Sequence, residues 1–470
     1  MKEFVHIKNP RILVVHPAHR PTSQTRYFPI GLGYVLSAIK KTGIKFTLLD
    51  IDANRQSDAE VRKLMEDNPF DIMMIGALIT AYKFVKKFCR MAREVNPDSI
   101  IIAGNSVASS IPEHLLKNND VDIAVIGEGD ITTVELIEGI SKGINISTIA
   151  GIYYIADGKV KSTPDRAIIK NIDSIPELDW DIFDINKYIE GASCSVPEIP
   201  QLPKEKIRAF VINTARGCPY KCTFCYHVFI KNKYRYRSTD SIIAEIRRMQ
   251  EKYGINYIFF FDELTFYSVK QATAFVDKVL ESGLQFYWEA DVRSNLFRDK
   301  DLPMLKRMKE SGCLALGYSL ESADPTILQS MKKKLKVEDF TNQKLVLDKA
   351  GIHTNTSLVF GYPEETEETI KKTLDLCYDL NVYPSSGFLL PQPSTPMYDF
   401  AKAHGFIEDE EEFLLGLGDR QDLRFNLTAM TDEVFQQTVE EGLVRISEKL
   451  KFNFDKEKLL KTGNQHNRIT

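Results

Sequence analysis

Between Arg11 and about Ile155, short apolar runs alternate with segments whose apolar residues recur at helical spacing. RILVVHP (11–17), IKFTLLDID (44–52), DIMMIGA (71–77), SIIIAGN (99–105) and VDIAVIGEG (121–129) read as strands. Their near-continuous apolar character marks strands covered on both faces, as in a parallel α/β sheet. Helices are expected at Leu32–Lys41, Ala59–Glu66, Tyr82–Val95 and Ile131–Ile140. The strands end in Asp50, Gly76, Gly104 and Gly127. Ligands of open α/β sheets bind at the carboxyl ends of strands, where glycine admits close backbone approach. The same glycines also suit tight turns. A hairpin follows in GIYYIADGKVKS (151–162), turning at Asp157-Gly158.

Residues 163–206 are rich in proline and acid, as in IPELDWDIFDINKY and VPEIPQLPKEK, and read as a surface linker. A second alternating region begins near Ile207. Its strands are AFVINTA (209–215), YIFFFDE (257–263), FYWEADV (286–292), LALGYSLE (314–321), TNTSLVFGYP (354–363) and SGFLLP (386–391). Six strand signals, each followed by a helical pattern, predict a partial (β/α)6 barrel. Ile242, Ile243, Ile246, Met249 and Tyr253 share a helix face that stops at Gly254. Val269, Ala272, Val276, Val279 and Leu280 form another, stopping at Gly283. The division expected is therefore an α/β domain at 1–162, a linker at 163–206, the barrel at 207–400 and a helical extension at 401–470, with Thr431–Lys449 as its clearest helix.

At 470 residues the chain exceeds what one core usually serves. Lysine and arginine number 61 against 65 acidic residues, a net charge of −4, so no basic footprint points to nucleic acid. The start, MKEFVHIKNP, has no apolar signal core, and no run of about 18 apolar residues occurs. No membrane span is expected. Seven cysteines, an odd number without scaffold spacing, fit a reducing cytoplasm.

Three of those cysteines, Cys218, Cys222 and Cys225, fall in RGCPYKCTFCYH (216–227), just after the first barrel strand. Loops there lie at the mouth where barrel enzymes do chemistry. A structural zinc site takes four ligands, and only His227 is at hand as a fourth; Cys89, Cys194, Cys313 and Cys377 form no second pair. A 4Fe–4S cluster normally takes four thiolates, so three leave one iron with an open site suited to a chelating small molecule. A non-catalytic zinc or partner-binding module is the competing class.

This cysteine segment, with Phe224 and Tyr226 flanking Cys225, resembles the signature of radical S-adenosylmethionine (SAM) enzymes. Further matches follow in order: FFDELTF (260–266), EADVRSNLF (289–297), GYSLESAD (317–324), AGIHTNTSLVFGYPEETEET (350–369) and LLPQPSTPMYD (389–399), where Ser394 replaces a glycine of the family's P-x-P-G-T-P segment. The N-terminal segments FPIGLGYVLSAIKKTG, TLLDID, IAGNSVASS and AVIGEGD resemble the cobalamin-binding domain fused ahead of such barrels. The whole is similar to class B radical SAM methyltransferases and to anaerobic Mg-protoporphyrin monomethyl ester cyclases. One departure is the missing D-x-H-x-x-G motif, whose histidine ligates cobalt; His16 and His19 stand outside its frame. Fused enzymes of this kind also hold cobalamin without a protein histidine.

The resemblance implies a 4Fe–4S cluster on the three cysteines, SAM on the open iron and cobalamin on the N-terminal domain. Asp262 or Glu263 would meet the SAM ammonium, only one of the two pointing inward; alternatively the pair precedes a helix. Arg293 would take the SAM carboxylate or pair with Glu289 or Asp291. Glu321 would meet the ribose or cap the next helix, and Phe224 and Tyr226 would flank the adenine. Gly76, Gly104, Asn105, Gly127, Glu128 and Gly129 would form the cobalamin shelf. The implied activity is methyl transfer to an unactivated carbon of a small-molecule substrate, with ring closure or oxidation of a porphyrin-like substrate as the alternative. A one-electron donor of flavodoxin or ferredoxin type would supply the electron.

Overall fold

The computed structural model describes residues 6–21, 23, 25–199, 202–226, 233–418 and 423–451. The chain forms two compact units, described separately.

The first unit is built on a seven-stranded sheet: β1 (Ile12–His16), β2 (Thr47–Asp50), β3 (Ile72–Gly76), β4 (Ile100–Gly104), β5 (Ile123–Val125), β6 (Ile152–Ala156) and β7 (Lys159–Ser162). Their order is β2-β1-β3-β4-β5-β6-β7. The first five are parallel, and the expected hairpin adds β6 and β7 antiparallel at one edge. Asp157 and Gly158 both carry positive φ, which suits a two-residue turn between twisted strands. β1, β3 and β4 are buried along almost their whole length, as their unbroken apolar runs require. The helix Tyr82–Val95 sets Val85, Phe88, Cys89 and Ala92 inward. Strand order reverses between β1 and β3, and at such a switch point a crevice opens beyond the strands' carboxyl ends.

The stretch expected as a surface linker is structured. It holds the helix Ile185–Ser195 and buries Trp180, Phe183, Tyr188 and Ile189. Proline interrupts this segment without keeping its aromatic residues in water, because each can bury well over 100 Å² of apolar surface. The first unit runs to Gly191 and also takes in 407–418 from the expected C-terminal extension. There Glu411 accepts hydrogen bonds from Tyr82 Oη (2.6 Å) and Lys86 Nζ and pairs with His114 Nε2 (2.7 Å).

The second unit contains the parallel strands β8 (Ala209–Ile212), β11 (Tyr257–Phe260), β12 (Tyr287–Asp291), β13 (Cys313–Gly317) and β14 (His353–Asn355), side by side in that order. The short strands β9 (Ala215–Arg216) and β10 (Arg235–Tyr236) pair apart from them. The fifth expected strand is interrupted at Thr356. Its second part, β15 (Ser357–Phe360), pairs with β16 (Ser385–Phe388), and a bridge from Glu321 to Leu358 continues the arc. The result is a six-position parallel arc with helices outside, the partial barrel expected.

The helices Thr239–Tyr253 and Val269–Ser282 end at Gly254 and Gly283 in left-handed conformation, as anticipated. In the second helix Phe275 completes the buried face and Leu280 is exposed, contrary to the sequence reading. Phe275 packs edge-on against Phe260 (5.3 Å) and Trp288 (5.4 Å), so ring area on the sheet decided the helix's rotation. The helix Asp432–Lys449 lies against Glu367–Asp379, with Phe435 edge-on to Phe388 at 5.1 Å. No helix among the described residues is long and apolar enough to cross a membrane.

Candidate active site

The cysteine loop leaves the barrel between β9 and β10, whose two-residue ladder closes its base. Just before it, Asp262 accepts from Asn213 Nδ2 (2.6 Å), Thr214 N (2.7 Å), Thr214 Oγ1 (2.6 Å) and Ala215 N (2.9 Å). Four donors exhaust this carboxylate, which anchors the loop. Burial pushes its pKa up to about 7 even against those donors. The tip is held through Thr223. Its N–H donates to the Met331 carbonyl (3.0 Å), its hydroxyl bonds Ser330 O (3.0 Å) and Tyr362 Oη (2.8 Å), and its carbonyl accepts from Met397 N (3.3 Å).

Cys222 is buried, and Cys218 and Cys225 are half-buried; all three are free thiols. Burial raises the Cys218 pKa and lifts that of Cys225 to about 12, and the neighbouring thiols add to both effects. Three thiolates so close would repel one another unless a cationic centre reversed the balance. Among the described residues no three His, Cys, Asp or Glu side chains converge on a single metal ion. His227, the residue considered as a fourth zinc ligand, lies outside the described residues. A cluster bringing its own sulfides spans a wider set of thiols than one ion does, and the donor set fits it.

Glu263, next to Asp262, is open to solvent, so of the pair it is the one free to meet a ligand. Desolvation by the protein around it raises its pKa, opposed by backbone N–H groups, its own and Gly217's, and then by Arg216 and Arg235. The pair caps no helix: the next one starts at Val269 under Ser268. Arg293 lies over the Tyr220 ring at 3.8 Å and donates to the carbonyls of Lys333 and Lys334. It pairs with neither Glu289 nor Asp291, and its Nε is buried with no partner among the described residues. Glu289 instead accepts from Tyr257 Oη and Asn355 Nδ2. Asp291, the last residue of β12, is exposed, and desolvation by the protein around it, then Glu289 and Asp262, raises its pKa to about 7. A Cβ at Gly317 would stand 1.9 Å from Asp291 Oδ1, so a side chain there would displace the Asp291 carboxylate.

Glu321 has φ 65° and is ion-paired to Lys333 Nζ at 2.8 Å. Its Oε2 is buried with no partner among the described residues, and the following helix is capped by Asp324. Phe224 meets Tyr362 edge-on at 6.5 Å, with Lys333 Nζ 5.9 Å from its ring, and Tyr226 is half-buried. Ser394, standing for the family glycine, adopts φ 69°, which explains why glycine suits that place. Lys333 escaped the sequence reading, which considered Asp291 only as a partner of Arg293. Lys333 is one of three consecutive lysines, and only its burial distinguishes it.

In the first unit Gly76 and Gly104 are in register at the ends of β3 and β4. A Cβ at Gly104 or Gly127 would meet nothing within 4 Å, and Gly127 has φ 73°. Asn105 is exposed with φ 66°. Exposed Leu78 and Ile131, just beyond β3 and β5, add apolar surface. Glu128 accepts from Ile169 N (2.8 Å), and a Cβ at Gly129 would lie 3.3 Å from Val35. These two are engaged in packing, while Gly76, Gly104, Asn105 and Gly127 leave an open shelf. At the ends of β1 and β2, His16 Nδ1 lies 3.0 Å from Asp50 Oδ1, and Tyr188 donates to both Asp50 oxygens (2.8 and 2.9 Å).

Known proteins place these features. The model of the Radical SAM superfamily matches residues 212–377, and that of the B12 binding domain matches residues 21–137. An uncharacterized methyltransferase of Pyrococcus horikoshii is 27% identical over 382 residues, covering 81% of this chain and 79% of its own. The anaerobic magnesium-protoporphyrin IX monomethyl ester cyclase of Rubrivivax gelatinosus is 26% identical over 381 residues, 79% of this chain and 66% of its own. Among solved structures, the radical S-adenosylmethionine methyltransferase TsrM of Kitasatospora setae, with cobalamin and a [4Fe-4S] cluster bound, superposes with a TM-score of 0.67. It is 17% identical, covers 85% of this chain and 79% of its own, and so speaks to the fold. The cofactors of the two domains are a 4Fe–4S cluster with SAM, and cobalamin. The chain thus joins an N-terminal B12-binding domain to a domain of the Radical SAM superfamily.

Proposed function

We propose that this enzyme transfers a methyl group to an unactivated carbon of a small-molecule substrate. The observation carrying this reading is one loop with three cysteines and no fourth, in a chain that also has a B12-binding domain. The methyltransferases among its relatives support it; ring closure, as in the cyclase relatives, is the second reading. When bound, the cluster and SAM would together supply hydrogen-abstracting radical chemistry, and cobalamin would supply the methyl group.

The chain's residues have distinct tasks. Cys218, Cys222 and Cys225 hold the cluster, and Asp262 and Thr223 fix their loop. Glu263 meets the SAM ammonium in a charge-assisted contact. Arg293, fixed by stacking on Tyr220, keeps Nε available for the carboxylate. Glu321 offers Oε2 to the ribose, its other oxygen held by Lys333, and Phe224 and Tyr226 border the adenine. Gly76, Gly104, Asn105 and Gly127 support cobalamin. A flavodoxin or ferredoxin-type donor brings the electron, and free cysteines throughout suit a reducing cytoplasm.

The test is anaerobic reconstitution with methyl-labelled SAM and hydroxocobalamin. About four irons per chain, 5′-deoxyadenosine on reduction, and label passing through cobalamin into product are expected. One zinc and no iron per chain would sink the reading; cleavage without label in the product would favour ring closure.

A further inference from the structure

A groove of about 700 Å³ is lined by Pro219 and Lys221 of the cysteine loop and by Lys332, Lys334, Lys336 and Glu338. All six residues are exposed. Along Met331–Lys336 the buried residues Met331, Lys333 and Leu335 alternate with the exposed lysines, so three ammonium groups are displayed while Lys333 turns in to Glu321. None of the four groove lysines has an ion-pair partner among the described residues.

The display is built into the backbone. Lys332 and Lys334 have φ 49° and 51°, a conformation that lysine adopts only when its surroundings impose it. Lys332 N donates to Gln329 O (2.9 Å) and Lys333 N to Leu328 O (3.1 Å). Arg293 donates to the carbonyls of Lys333 and Lys334 while lying on Tyr220 of the cysteine loop. One arginine thus ties the lysine segment to the segment bearing the cysteines.

We propose that this groove docks the acidic face of a one-electron carrier protein of the flavodoxin or ferredoxin class. The proposal rests on the radical SAM reading, in which the carrier gives up one electron and the cluster takes it. Among the described residues no second cysteine group stands ready to pass the electron on: Cys89, Cys313 and Cys377 are buried, and Cys194 is exposed. The electron must enter beside the cysteine loop, and Pro219 and Lys221 place the groove on that loop. Four ammonium groups against the single carboxylate of Glu338, on a chain of net charge −4, form a local positive field on a negative protein. Such a patch steers an acidic partner and orients it.

The experiment compares wild type with the Lys332→Glu/Lys334→Glu/Lys336→Glu triple variant, and with Lys332→Gln/Lys336→Gln as the milder form. Iron content and circular dichroism serve as folding controls. A bacterial flavodoxin is the probe, its affinity measured at about 50 and about 300 mM salt, where Debye lengths differ more than twofold. Wild-type binding should weaken with salt. The triple variant should bind at least about tenfold more weakly and lose most of that salt dependence, with the glutamine variant between them. Deoxyadenosine formation should be unchanged with dithionite and fall about tenfold with flavodoxin. Unchanged flavodoxin affinity overturns the proposal, as does a variant whose only defect is weakened binding of an anionic substrate or of RNA. Failure of wild type with dithionite would count against the radical SAM reading, and the affinity comparison would still decide the docking site.

Discussion

Glu321 and Lys333 form an ion pair of 2.8 Å whose side chains are only 5% and 9% exposed. Lys333 acts on Cys225 as a nearby positive charge and lies close to Phe224. The pair therefore joins the strand-end glutamate to the immediate surroundings of the cluster cysteines. Removing one partner of such a pair strands a buried charge, whereas removing both does not. Lys333→Met should destabilise the cofactor-free protein by about 3–5 kcal/mol, and Lys333→Met/Glu321→Leu should recover most of that. Urea unfolding of the variants measures both; equal losses in single and double variants would show that the pair contributes no coupling.

The three loop cysteines and the other four should separate cleanly. Cys222→Ala should abolish the visible absorption and reduce iron from about four per chain to near none. Cys377→Ala, at a buried thiol outside the loop, should keep both. Metal analysis after anaerobic reconstitution decides.

Glu263 and Asp262 are neighbours with different expected phenotypes. Glu263→Gln should weaken SAM binding ten- to a hundredfold, the worth of about 1.5–3 kcal/mol for a charged hydrogen bond, while iron stays bound. Asp262→Ala, which strands four donors, should instead lower stability and iron incorporation together. Calorimetric titration of SAM into each reconstituted variant distinguishes them; a normal SAM affinity in Glu263→Gln would remove that residue from the site.

Asp291 should mark the pH dependence of the cofactor-free protein. Its folded pKa, raised to about 7, lies above the unfolded value near 3.8, so the native state binds more protons than the unfolded one between these limits. This carboxyl therefore costs stability as pH climbs from about 4 to about 7, and the cost levels off above that range. Asp291→Asn should gain stability relative to wild type from pH 5 to pH 8, read from urea midpoints; a pH-independent difference would contradict the assignment.

Gly104→Leu should fold normally, because a Cβ there meets nothing within 4 Å, and should fail to retain hydroxocobalamin through gel filtration. Retention equal to wild type would move the cobalamin shelf elsewhere.

The alternation of strands and helices, the stops at Gly254 and Gly283 and the spacing of Cys218, Cys222 and Cys225 were legible in the sequence, because periodicity and turn chemistry act over a few residues. Other features depended on residues far apart in the chain. Asp262 and Glu263 are equivalent carboxylates until Asn213, Thr214 and Ala215 close on one of them. Lys333 is one lysine in a run until folding brings it to Glu321. Tyr188 sits in a proline-rich stretch that reads as linker until Asp50 offers it a buried acceptor. Leu280 satisfies the helical period, but the aromatic cluster of Phe260 and Trp288 selects Phe275. Local pattern set which elements form, and burial and charge between distant segments decided which side chains were left to do chemistry.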